Sequence, residues 1–194
     1  MKNISRVLFI LLLTFIMDSC KNAEEPKREH DHQAVQEQNA PQKKSLSPHT
    51  VTMANVGDAH IHIDYSSPGV RNRIIFGGLL AFGEVWQAGA HRATWIETSE
   101  DLIVDGQTLP AGKYGLFTIP TQQAWTVIFN SRWNQHGKDE YDEREDVLRL
   151  QFEPVITESV TENLTYTIND LGENKGSLVL AWEKVKLEIP FKVE

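Results

Sequence analysis

The sequence predicts an all-β fold, a single antiparallel β-sandwich domain placed behind an N-terminal signal peptide and a disordered linker. Short alternating or apolar runs recur about eight or nine times over residues 50–194, turn signals punctuate them roughly every 8–12 positions, and no long helical period appears. Composition agrees. With 40% hydrophobic and 24% charged residues, a chain of 194 residues suits one folded domain plus appendages.

Residues 1–19 read as an export signal. Lys2 and Arg6 form a positive start, and Val7 to Met17 is an apolar run broken only by Thr14. Eleven residues at ~1.5 Å rise reach about half of a ~30 Å hydrocarbon core, which suits a cleavable segment and not a permanent span. Ser19 directly precedes Cys20, the one cysteine in the chain. This arrangement resembles the lipobox of bacterial lipoproteins and implies a diacylglycerol thioether on Cys20, with palmitate-type acyl chains holding the protein to a membrane. Met17 and Asp18 depart from the commonest form of that motif.

Residues 20–49 are rich in Glu, Lys, Gln and Pro and nearly free of large apolar side chains. Such a stretch buries too little surface to offset its ordering entropy, so it is expected to be a disordered tether. Lys21 with Glu24 and Glu25 resembles a signal that sends some lipoproteins to the outer face of the outer membrane. The expected location is therefore the cell envelope, on its periplasmic or surface side. His30, Asp31 and His32 offer a metal too few fixed ligands for a structural site.

The folded part follows in order. Ala59 to Tyr65 alternates, with Ile61, Ile63 and Tyr65 on one face and His60, His62 and Asp64 on the other, as a half-buried strand does. Ser66 to Gly69 is a turn. Four glycines between Arg71 and Ala90 argue against a helix, and the segment reads as an irregular buried crossing that carries Phe76, Leu79, Phe82 and Trp86 inward. Ala93–Thr98 is a strand. Asp105-Gly106 marks a hairpin between Leu102–Val104 and Thr108–Leu109. A second hairpin joins Lys113–Ile119 to Ala124–Asn130, with Trp125 facing inward. Trp133 to Glu145 is a polar excursion with a helical turn near Asp142. Strands then cover Asp146–Glu153, Val160–Asn169, Ser177–Glu183 and Val185–Phe191.

The strings SPGVRNRIIFGGLLAFGEVWQAGAHRAT, LPAGKYGLFTIP, WTVIFN and DVLRL, in that order, resemble the DUF2911 family, over roughly residues 52–194. The resemblance implies that family's β-rich domain and its secreted or lipid-anchored setting in Bacteroidetes, and no particular reaction. His91 and Arg92 stand where many members carry Asn-Glu. If that pair lines a pocket, the ligand differs from the typical member's.

A formal charge of -8 and the lack of a basic stripe exclude nucleic acid as a partner. Arg71, Arg73, Trp86, His91, Arg92 and Trp95 gather polar groups beside indoles, a combination suited to a small molecule or glycan. Trp86 and Trp95 also suit core positions, with Arg73 serving backbone carbonyls. His60 and His62 could supply two imidazoles to Zn or Cu, joined by His49, His91 or His136, although a polar outer strand face explains them as well. The acidic run from Asp139 to Asp146 lacks the glycine-centred pattern of a calcium loop. No G-x-S-x-G or H-E-x-x-H motif is present, and no cofactor is indicated. The leading reading is a lipid-anchored envelope module binding a small molecule, glycan or protein. The alternative is a metal-assisted hydrolase using His60, His62 and His91.

Overall fold

Alternating burial along the strands determines the architecture. The computed structural model describes residues 45–194; the export signal, Cys20 and the tether up to residue 44, with its acidic pair and its histidines, lie outside them. Residues Lys43–Glu194 form one unit that contains all the strand pairs and core residues described below.

Ten strands build two antiparallel sheets. They are β1 (His49–Val56), β2 (Ala59–Ser66), β3 (Trp95–Thr98), β4 (Leu102–Val104), β5 (Gln107–Leu109), β6 (Gly112–Ile119), β7 (Trp125–Asn130), β8 (Asp146–Phe152), β9 (Val155–Gly172) and β10 (Lys175–Val193). One sheet runs β1-β2-β3-β6-β7-β8, the other β5-β4-β10-β9. Among the described residues the only helical element is a 3₁₀ turn at Glu143–Glu145, capped by Asp142. The all-β sandwich is therefore what the chain forms.

The main core lies between the sheets. Ile61, Ile63, Leu116, Trp125, Val127 and Phe129 meet Leu164, Tyr166, Leu180, Trp182, Leu187 and Ile189 there. A smaller cluster of Ala93, Phe117 and Ile128, packed with Val85 and Tyr141, sits apart from it. Leu116 and Phe117 are successive residues on β6, so their side chains leave opposite faces of the sheet. The six-stranded sheet is thus covered on both sides along β6 and β7, where the segments carrying Val85 and Tyr141 cross its outer face.

Several expectations need correcting. β1 has no counterpart in the sequence reading, because HTVTMANV buries only Val56 fully and carries no strong apolar stripe. The two runs read as Ser177–Glu183 and Val185–Phe191 are one strand with a bulge. Along β10 the inward residues are Leu178, Leu180 and Trp182, then Val185, Leu187 and Ile189, so one extra residue shifts the phase. Glu183 adopts φ 56 at that bulge. Leu79 and Phe82 do not point into the core; they are 51% and 39% exposed. Phe76 and Trp86 do lie inward.

Candidate functional site

The six residues expected to form one pocket are divided between two places. Arg71, Arg73, Trp86 and His91 line a cavity of about 290 Å³, together with Gln87 and Trp182. Arg92 and Trp95 line a separate groove of about 390 Å³, with His49, Asp64, Lys113, Trp133 and Asn134.

The cavity depends on tight backbone. Arg71 (φ 52), Asn72 (φ 57), Ala88 (φ 51) and His91 (φ 62) are four of the eight non-glycine residues with positive φ, and all lie in the two segments that bound it. Left-handed geometry costs an ordinary residue about 1–3 kcal/mol and persists only where its surroundings enforce it. Here they do. Trp86 N–H donates to Thr118 O and Thr118 N–H to Trp86 O, which pins the segment to β6. Buried Ala88 O accepts from Thr94 Oγ1 at 2.9 Å and from Tyr166 Oη at 2.7 Å. Burial foremost, then neighbouring Tyr65, pushes the Tyr166 pKa well up, so its hydroxyl remains a donor. Arg71 N–H is held by Glu162 Oε1 at 2.9 Å.

Two of the expected residues partly serve the fold. Arg73 donates from Nε to Val70 O at 3.0 Å and from Nη2 to Gly69 O at 2.6 Å, so half of its guanidinium holds the turn. Trp86 is buried and donates Nε1–H to Gly89 O at 2.9 Å. Trp182, stacked on Trp86 at 5.7 Å between ring centroids, differs from it: it is 1% exposed and its Nε1–H has no acceptor among the described residues. A buried donor left unpaired costs about 1–3 kcal/mol, and it lies in a residue that lines the cavity between Arg71, Arg73 and His91. An acceptor, above all an anionic one, is the complement of that set.

The groove is organised differently. The loop after β7 settles onto the sheet at Gly115, where a Cβ would lie 2.7 Å from Phe117 Cε2 and 3.3 Å from Arg132 O and Trp133 Cα. That approach sets Trp133 beside Trp95, 6.1 Å between centroids. Lys113 Nζ sits 3.2 Å from the Trp95 ring centre and 4.0 Å from that of Trp133. His49 Nε2 lies 2.8 Å from Asp64 Oδ2, and Arg92 donates to Asn134 Oδ1. Each cation-forming side chain of the groove already has a partner.

The histidines do not converge. His60 Nδ1 bonds Asn55 Oδ1 at 2.8 Å, His62 packs on Trp95 at 4.7 Å, and His91 lines the cavity with the arginines. Among the described residues no three His, Cys, Asp or Glu side chains are grouped to hold a metal ion. Trp182 escaped the sequence reading because it belongs to the alternating run LVLAWE, which is a core pattern; nothing local marks its N–H as unpaired.

By fold the chain is an antiparallel β-sandwich carrying a small cation-lined cavity. It belongs to the family described as protein of unknown function (DUF2911), which it matches over residues 47–191. No curated protein and no solved structure matches it.

Proposed function

We propose that this protein is a lipid-anchored cell-envelope module that binds a small anionic ligand, such as a carboxylic acid or an acidic monosaccharide, in the cavity between Arg71, Arg73, His91 and Trp182. One observation carries the reading: Trp182, whose buried N–H has no acceptor among the described residues, lines a cavity together with Arg71, Arg73 and His91. A carboxylate would take that N–H and the remaining Arg donors, and the cavity's volume of about 290 Å³ sets its scale near the lower end of ligand pockets. Loop backbone held in left-handed geometry fits a preformed site, which lowers the ordering cost of binding.

The anchor rests on the sequence around Cys20 and keeps this site in the envelope. Mass spectrometry of the native N-terminus tests it: a diacylglycerol thioether on Cys20 is expected, and an unmodified sulfhydryl removes the anchor from the account. For the site, calorimetric titration with small carboxylates, phosphate and uronic acids is the measurement. A true ligand at about 100 times its Kd raises unfolding free energy by about 2.7 kcal/mol. Trp182→Phe and Arg71→Ala should each weaken it at least about tenfold. A panel that leaves stability unchanged, or binding indifferent to both substitutions, sinks the proposal.

A further inference from the structure

A cleft of about 550 Å³ belongs to neither site above. Its lining joins the β10 bulge at Glu183, the start of β9 and the turn between β6 and β7. We infer that this cleft binds small amphiphiles made of an apolar tail and a protonated amine head.

The tail follows from the floor and walls. Phe76 and Trp125 form a buried aromatic floor, 4.7 Å between ring centroids. Phe82 and Ile156 line the same cleft while 39% and 70% exposed. Two large apolar side chains facing water beside an aromatic floor gain from any apolar group that covers them. The floor offers a ligand no free hydrogen bond, because Trp125 Nε1–H donates to Thr121 O at 3.0 Å.

The head follows from the rim. Glu153, Glu183 and Lys184 are its charged residues, and carboxylates outnumber the ammonium. Glu183 Oε1 receives only a long bond, 3.4 Å, from Ile75 N–H. None of the three has an ion-pair partner among the described residues. A cation over an apolar tail therefore satisfies both parts of the cleft, whereas a carboxylate over the same tail meets like charge. The small acid proposed above has the opposite sign and a different cavity, so the two proposals stand or fall separately.

The test uses the self-contained unit, residues 43–194, titrated with octylammonium, octanol and octanoate. The reporter is the Trp125 indole N–H resonance, assigned by its loss in Trp125→Phe. Octylammonium should shift that resonance saturably and bind at least about tenfold tighter than octanoate, with octanol between them. Ile156→Ser, at an exposed position that leaves the fold alone, should weaken all three, and Glu153→Gln should narrow the preference for the amine. Absence of a saturable shift, indifference to Ile156→Ser, or equal affinity for amine and acid would overturn the assignment.

Discussion

Two aromatic clusters sit in this molecule, and their polar atoms tell them apart. The inner one joins Phe76, Trp86, Trp125 and Trp182 between the sheets; the outer one joins His62, Trp95 and Trp133 around Lys113. In the outer cluster the indoles are half-buried, so water reaches them, and the Lys113 ammonium lies against both rings. Its one unpaired buried atom among the described residues is His62 Nε2, which is a donor or an acceptor according to the tautomer. In the inner cluster three indoles are buried. Trp86 and Trp125 have acceptors, at 2.9 Å and 3.0 Å, and Trp182 has none among the described residues. Aromatic residues beside cations are therefore not enough to identify a binding surface. The outer cluster has them, with its ammonium already against both indoles; the inner one leaves an indole N–H without an acceptor among the described residues.

The largest effect should come from removing mass from the inner cluster. Trp125→Ala, fully buried in the main core, is expected to lower stability by about 3–5 kcal/mol in urea unfolding. A wild-type midpoint would mean that Trp125 is not packed between the sheets. A finer contrast separates the stacked pair. Trp86→Phe removes the donor to Gly89 O and should cost about 1–3 kcal/mol. Trp182→Phe removes a donor that has no acceptor, so the packing it loses is offset and its stability change should stay within about 1 kcal/mol. Equal losses for the two would show that the Trp182 N–H is paired in solution, and the distinction between the clusters would vanish.

What the sequence revealed follows the same division between local and assembled features. The Asp105-Gly106 turn, the alternation of AHIHIDY and the capped turn near Asp142 are encoded by neighbouring residues, and each was legible. The chain's break at Lys184 was legible as well, but it is a one-residue phase shift within β10 and not a strand boundary. Leu79 and Phe82 misled because apolar residues are usually buried, while here they border openings on the surface. Arg71, Arg73, Trp86 and His91 do share a cavity, since they lie within one short segment. Trp182, which completes it, comes from a strand about a hundred residues away, and the division of Arg92 and Trp95 into another groove depends on how β2, β3 and β6 align.

The outer cluster predicts a smaller loss. Trp133→Ala should lower stability by about 0.5–2 kcal/mol, the range of a partly desolvated cation–π contact. Lys113→Met, which keeps the apolar stem but loses the charge, should reproduce most of that loss, and the double variant should add little. Strict additivity would mean that Lys113 is solvated and that the groove is free to take an external cation, which would erase the contrast with the inner site.

The smallest effect concerns the polar excursion that begins at Trp133. Asp142 accepts from Arg144 N–H at 3.1 Å and pairs with the Arg144 guanidinium, capping the 3₁₀ turn. The guanidinium hydrogen bond first, then the backbone one, holds the Asp142 pKa at about 2, below its ordinary value of 3.8. The folded carboxyl thus binds a proton less readily than the unfolded one. Its contribution is complete above the ordinary value and disappears as pH falls through about 2. Because the group is on the surface, salt screens the pairing and the whole domain should barely respond. The Arg144 amide resonance should nevertheless titrate with a midpoint near 2, while amides of β7 and β8 stay still. Asp142→Asn, which keeps an oxygen acceptor for the cap without its charge, should abolish that titration. A midpoint at the ordinary value would show that the cap is open in solution and that the excursion is held by its other contacts, Tyr141 against Phe117 and Asn130 Nδ2–H to Asp142 O among them.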